Sequence, residues 1–447
     1  MDKRQFLKTS AILGVGLAAT PSLSFCSTGT VAKPALLGGP KAHPGDFSGW
    51  PLQDSTEEKA LMEVLNSGEW GRLGTAAATK GFEQGYAAML GVPHVLGVTS
   101  GTSALYTILG ALGIGPGDEV ILPVYTFIAT YNVVTLHYAL PIIVDIDPES
   151  MQIDPVAMEK AITPQTAALL PVHIAGSPFD VDRVMEIGKK HNLPVVEDAC
   201  QAHLAAWKGK KVGSFGIAGA FSFQASKNLN CGEGGAISCM DDNFFKSCRS
   251  FHHQGQGANT AAFSAPGEGI RGTNVRITEF QSAILNAQMT RLEAQAKLRS
   301  ENAAYLSKML NDIPGITPAK LYKGTTNSAY HLYMFKYDKT RFDGMELDKF
   351  IAAMNAEGVP CGTGYGQMNK DDYVTGLAKN KHYLKIYGEK TMNEWLERNH
   401  CPNNDKASSE EVVWMFQTML LGSKTDMEQI AEAMRKIQKY AKELKNT

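Results

Sequence analysis

The sequence predicts an α/β protein in which a mostly parallel sheet, flanked by helices, forms a large domain and a smaller α+β domain follows. Three observations predict it. Short apolar runs alternate with helical stretches from about residue 46 to 310. A helical pattern then runs from Arg276 to Asp312 without a proline or glycine, and Pro314, Gly315 and Pro318 break the texture directly after it. Hydrophobic residues make up 44% of the 447, enough for a sizeable core.

In chain order, "HVLGVTS" reads as a strand and "GTSALYTILGALG" as the helix it feeds. "DEVILPVY", "LPIIVDID" and "TAALLPVHIAG" are further strands, apolar throughout as expected of a sheet covered on both faces. "DVDRVMEIGKKHN" has helical spacing, and "LPVVEDA" returns to a strand. Beyond residue 315 the strand-like "YHLYMFKY" mixes with helical "MELDKFIAAMNAEG" and "DMEQIAEAMRKIQKYAKEL". The expected division is residues 1–30 as a leader, 31–314 as an N-terminal segment with the large domain, and 315–447 as the small domain.

The leader is "MDKRQFLKTSAILGVGLAATPSLSFCS": a basic start, an apolar run from Ala11 to Ala19, then small residues and Pro21. That pattern predicts an export signal, and the run is too short to anchor a helix across a bilayer. "KRQFLK" resembles a twin-arginine signal with lysine in place of the first arginine, which implies export of a folded protein to the periplasm or beyond. Cys26 raises lipid anchoring as an alternative, although Phe25 before it departs from the small residue such sites prefer. Nothing else reaches the ~18 apolar residues of a membrane helix, so no transmembrane span is expected in the mature chain.

A net charge of −2 gives no basic field for nucleic acid, and that partner is set aside. The seven cysteines form no CxxC pair and no His/Cys spacing of a zinc site, so neither a disulfide framework nor a metal centre is expected.

Three stretches carry chemistry. In "VTSGTSAL", Val98 to Leu105, a strand ends in small hydroxyl residues that open a helix, so free N–H groups and the helix dipole converge where a phosphate would sit. Gly101 allows close approach, and Thr102 and Ser103 can add hydroxyl donors; ordinary N-capping would use the same residues. In "PVVEDACQA", Glu197 and Asp198 stand at the C-terminal end of an apolar strand, where open α/β sheets bind ligands. Asp198 either holds a cationic ring nitrogen or is a surface carboxylate. In "FSFQASKNLNCGEGGAISC", Lys227 sits among small and apolar residues; it is either a solvated loop lysine or an amine whose pKa is lowered for nucleophilic work. An anion cradle, a strand-end acid and an amine in a tight loop together meet the needs of pyridoxal 5'-phosphate.

"VEDACQAH", "GSFGIAGAFSFQASKNLNCGEGGAI" and "GTNVRITEFQSAIL" follow one another as the signatures of a known family do. From about Trp50 to Leu310 the chain resembles the DegT/DnrJ/StrS family of pyridoxal-phosphate-dependent sugar aminotransferases, of fold type I. The resemblance implies that Lys227 forms the Schiff base and moves the substrate proton. It implies that Asp198 pairs with the pyridinium nitrogen, that Gln201 contacts the ring's phenolic oxygen, and that Phe127 stacks on the ring, where core packing is the alternative. Gly101, Thr102 and Ser103 match the phosphate cradle, with Ser222 adding a hydroxyl. Asn274 matches an asparagine that reaches the phosphate from a neighbouring subunit, which implies a homodimer with shared active sites. His331 resembles a histidine on the substrate side, though strands also carry structural histidines.

The implied reaction is a two-step transamination in which glutamate or glutamine donates an amino group and a keto sugar or keto-cyclitol accepts it. "GTGYGQMNKDDYVTG", Gly362 to Gly376, departs from the family's "HY-x-P-L-H"-like segment, which predicts an altered substrate pocket. Two other readings remain: an exported cofactor-binding protein without turnover, and a sugar-modifying reaction such as dehydration. In the dehydrating branch a histidine replaces the lysine, and Lys227 argues against it.

Overall fold

The computed structural model describes residues 31–256 and 270–447, and the predicted export segment with Cys26 lies outside them. Two helices, α1 (Ser55–Ser67) and α2 (Ala77–Leu90), precede the sheet. The strands are β1 (His94–Val98), β2 (Glu119–Pro123), β3 (Leu140–Val144), β4 (Thr166–Leu169), β5 (Val196–Asp198), two short strands β6 (Ala206–Trp207) and β7 (Lys210–Lys211), β8 (Ala218–Ser222) and β9 (Gly235–Cys239). Between them come α3 (Gly101–Ala111), α4 (Ile128–Leu136), α5 (Pro155–Lys160) and α6 (Val181–His191).

Pairing gives the orders β3-β2-β4 and β1-β9-β8-β5, joined by the parallel bridges Leu169 to Val195 and Val172 to Asp198. The result is one mixed sheet in which β9 alone runs against its neighbours. Every residue of β2, β3, β8 and β9 is buried, and this two-sided covering is why these strands read as unbroken apolar runs. The C-terminal ends of β1, β2, β5 and β8 therefore open on one edge of the sheet.

After α7 (Asp242–His252) comes the 32-residue α8 (Glu279–Leu310). It starts at a capping box: Thr278 accepts from the Gln281 amide, and the Gln281 side chain accepts from the Thr278 amide at 3.0 Å. A second sheet, antiparallel, orders β10 (Ile316–Pro318), β12 (Leu332–Tyr337), β14 (Val412–Phe416) and β13 (Gly362–Thr363), while β11 (Thr325–Asn327) pairs with β6. Helices α9 (Leu347–Ala356) and α11 (Lys424–Lys439) pack with the C-terminal half of α8 in a core of their own that includes Phe335, Phe350, Met354, Ile430 and Met434.

The stretch between β13 and β14 does not join that core. Its helix α10 (Lys381–Arg398), interrupted at Gly388 where φ is +81°, buries Tyr383, Met392 and Trp395 against the first sheet. Trp395 Nε1 donates to the Pro141 carbonyl at 2.7 Å, and Tyr383 Oη to that of Ala139 at 2.9 Å. Among the described residues no helix is long and apolar enough to cross a membrane.

Candidate active site

The site forms at the C-terminal edge of the first sheet. Helix α3 begins there because Ser100, in extended conformation, accepts from the Ser103 amide at 3.0 Å. Ser103 Oγ is bonded to Thr99 Oγ1 at 2.8 Å and Ser100 Oγ at 2.9 Å, so the hydroxyl predicted for the cradle is engaged in the cap network. The Gly101 and Thr102 N–H groups keep no partner among the described residues and are left for an anion. A Cβ on Gly101 would lie 2.7 Å from both Cys200 Sγ and Ser222 Cβ, and one on Gly235 would collide with the Ser100 carbonyl. Only glycine at both places lets the helix end rest on β8 and β9.

Two consecutive acids at the end of β5 part company, because alternate residues of a strand face opposite sides. Glu197, fully buried, accepts from His173 Nε2 at 3.0 Å and from the amides of Gly213, Phe215 and Gly216 at 2.7 to 2.8 Å. Burial alone would raise its pKa; those bonds hold it below the ordinary value. Asp198 is only 5% exposed, which overturns the surface-carboxylate alternative. Its Oδ2 accepts from Thr130 Oγ1 at 2.8 Å and its Oδ1 from the Cys200 amide at 3.1 Å.

Lys227 lies in the β8–β9 connection, whose backbone is held by Lys227 N to Gln224 O at 2.8 Å and Ala225 N to Gly232 O at 2.9 Å. Asn228 Nδ2 ties the turn to Ala329 O at 2.7 Å, and Gln417 Nε2 reaches Ser226 O at 3.1 Å. Lys227 is half-buried, and no hydrogen bond or ion pair engages its Nζ among the described residues. Desolvation pushes its pKa down, with Cys200 and Asp198 pulling the other way, so the neutral amine is favoured relative to a solvated lysine.

Gln201 is fixed at both ends of its amide: Oε1 accepts from the Ala175 amide and Nε2 donates to Tyr365 Oη, each at 2.7 Å. Ser222 is buried; its carbonyl accepts from His203 Nε2 at 2.9 Å, and Tyr86 Oη meets His203 Nδ1 at 2.8 Å. Burial holds His203 near pKa 3, so it is neutral and carries its proton on Nε2. His331 is buried with its pKa well below normal, by desolvation and then by the Lys227 charge; its Nδ1 meets Asn228 Oδ1 at 3.3 Å. Asn228 adjoins Lys227, so His331 is one residue removed from the amine.

Phe127, N-cap of α4, is 53% exposed, which overturns core packing as its role. Asn274 pairs with His253 across an isolated bridge, and its Oδ1 accepts from the Arg276 amide at 3.3 Å. Sequence reasoning missed Thr130, Tyr365 and His203. Thr130 stands three residues after Phe127 and His203 two after Gln201, whereas Tyr365 lies 164 positions from its partner Gln201 and left no local signal.

Comparison with known proteins gives a consistent result. The sequence model of the DegT/DnrJ/EryC1/StrS aminotransferase family matches residues 51–435. The L-glutamine:2-deoxy-scyllo-inosose aminotransferase of Streptomyces kanamyceticus is 33% identical over 400 residues, covering 87% of this chain and 92% of that protein. The 3-amino-5-hydroxybenzoate synthase of Amycolatopsis mediterranei is 31% identical over 392 residues, covering 87% and 96%. Among solved structures, 3-amino-5-hydroxybenzoic acid synthase superposes with a TM-score of 0.76 at 30% identity, covering 88% of this chain and 98% of that one. DesV of S. venezuelae gives 0.70 at 29% identity, covering 89% and 99%.

Proposed function

Since the chain belongs to the DegT/DnrJ/EryC1/StrS aminotransferase family, with the fold type I architecture of its solved relatives, we propose that it transfers the amino group of L-glutamine to a keto-cyclitol or keto sugar. The observation that carries this reading is the unengaged, desolvated amine of Lys227 beside a buried acid and a helix N-terminus.

These residues fit pyridoxal 5'-phosphate: Gly101 and Thr102 offer two unpaired N–H groups to a phosphate, Asp198 keeps acceptor capacity for a protonated ring nitrogen, and Lys227 is uncommitted. Bound there, the cofactor supplies an electron sink that carries the amino group between two substrates. Lys227 would hold it covalently and would move the proton at the substrate carbon. Asp198, oriented by Thr130, would keep the ring nitrogen protonated, and Gln201, whose Oε1 and one Nε2 hydrogen are already engaged, would offer its remaining Nε2 hydrogen to the phenolic oxygen. Ser222 and the α3 terminus would bind the phosphate, Phe127 would cover the ring, and His331 would meet the acceptor. As a neutral imidazole with its Nδ1 proton on Asn228, His331 presents Nε2 as an acceptor for a substrate hydroxyl.

A homodimer with shared sites belongs to the same reading. Asn274 would serve the neighbouring copy, and exposed Trp70 and Leu73, on the segment whose Gly71 bridges to Thr278, would give such a contact apolar surface. Export through the twin-arginine-like leader would place the enzyme outside the cytoplasm, where a free cyclitol or keto sugar is a more available acceptor than a nucleotide-linked one. The acceptor named for the Streptomyces kanamyceticus relative carries no nucleotide.

The test is to load the purified protein with cofactor, add L-glutamine and follow the visible band of the lysine-bound form, then add 2-deoxy-scyllo-inosose and look for the aminocyclitol. Loss of the band with glutamine and its return with the ketone are expected. A band indifferent to every amino donor refutes the assignment.

A further inference from the structure

We propose that Tyr365 is a positioning residue for the cofactor cleft: it locks the Gln201 amide so that one Nε2–H remains aimed at the ligand. The inference rests on the cofactor reading above and extends it to a residue in the segment that departs from the family pattern.

The orientation of Gln201 is decided by its partners. The Ala175 N–H can only donate, so the atom it meets at 2.7 Å is the carbonyl oxygen Oε1. The other end is therefore the NH2 group, and one of its hydrogens goes to Tyr365 Oη at 2.7 Å. With the amide plane pinned at both ends, the remaining Nε2–H has a single direction. Gln201 is 5% exposed, so that hydrogen is without a partner unless a ligand supplies one.

Tyr365 is in turn held firmly. Its ring meets Trp414 at 4.7 Å and Tyr125 at 5.5 Å, both edge to face, and Trp414 Nε1 donates to Tyr125 Oη at 2.8 Å. A Cβ on Gly364 would collide with Tyr125 Oη and Trp414 Nε1, so glycine before Tyr365 is what lets this ring seat there. Tyr365 Oη accepts from Gln201, while its own proton finds no acceptor among the described residues. Burial raises its pKa, and the Asp198 charge raises it further, so the hydroxyl stays protonated and close to the acid that would face the ring.

A donor at the phenolic oxygen favours the more negatively charged form of a lysine-bound cofactor. Tyr365→Phe, which keeps the ring contacts and removes the hydroxyl, frees the Gln201 amide to rotate. The holoenzyme's visible absorption should then titrate with its midpoint raised by about half a pH unit or more, with the fold retained by circular dichroism. Gln201→Met, which leaves Tyr365 in place, should raise the midpoint in the same direction, and the double variant should add nothing beyond Gln201→Met. A Tyr365→Phe midpoint equal to that of the parent, or full additivity in the double variant, overturns the proposal. Should Tyr365→Phe unfold, an unmoved midpoint in Gln201→Met overturns it equally. Absence of any visible band in the parent protein removes the cofactor reading itself, an outcome distinct from a band that ignores Tyr365.

Discussion

Glu197 and Asp198 are adjacent in sequence, yet Glu197 is fully enclosed by His173 and three backbone amides, while Asp198 is held by Thr130 and the Cys200 amide at the cleft. One acid braces the β5 to β8 edge and the other is available to a ligand. Glu197→Ala is therefore expected to destabilise the fold by about 3 kcal/mol or more, because it strands a buried imidazole and three amides. Asp198→Asn should unfold near the parent temperature but lose most transaminase activity. Urea unfolding and turnover, measured on both, separate the roles; equal stability losses would contradict them.

Lys227→Ala should abolish the visible cofactor band and reduce turnover by about a thousandfold or more, the scale of losing a covalent and proton-moving residue. Circular dichroism should be unchanged, because the lysine amine supports no described contact. A variant with normal turnover would rule out Lys227 as the reactive amine.

Gly101→Ala places a methyl group 2.7 Å from Cys200 Sγ and Ser222 Cβ. The α3 terminus must lift off β8, at a cost of about 1 to 3 kcal/mol. Cofactor affinity should drop at least tenfold with the band position unchanged, since the phosphate end alone is disturbed. Equilibrium dialysis against pyridoxal 5'-phosphate reads this directly.

Buried neutral histidines set an acid limit. Burial lowers His203 and His252 to about 3 and His331 well below its ordinary value. The unfolded chain takes up their protons near pH 6.5 and the folded chain does not, so stability is complete above that pH and falls as pH drops towards 3. Each contributes about 1.4 kcal/mol per pH unit within the window. Carboxylates such as Glu197, whose pKa is lowered, add their loss only at more acidic pH. Urea unfolding between pH 7 and 5 should show this slope, and His203→Gln should reduce it by one proton; an unchanged slope would contradict the assignment.

If sites are shared between copies, Lys227→Ala and Asn274→Ala proteins should each be inactive, and their mixed dimer should regain one intact site. Reassociated equimolar mixtures should reach about a quarter of parent activity. Activity that stays at the level of the separate variants would place Asn274 outside the neighbouring site.

The sheet was legible because strands buried on both faces leave no polar alternation, as in "EVILP" and "LPIIV". The fate of each acid at 197 and 198 was not, since it depends on amides at 213 to 216 that only the fold brings there. Helix α10 stayed unread because "KHYLKIYGEKTMNEWLER" spends few apolar residues and spaces them irregularly around Gly388. Tyr365 belongs to the same class: its meaning is a contact across 164 positions.

Trp395 and Tyr383 close the face of β2 and β3 from far down the chain. During synthesis that face stays uncovered until about nine-tenths of the polypeptide has emerged from the ribosome. Until then the nascent chain exposes apolar sheet surface that its own fold covers only at the end, and a premature stop before α10 releases a sheet with an open apolar side rather than a working half.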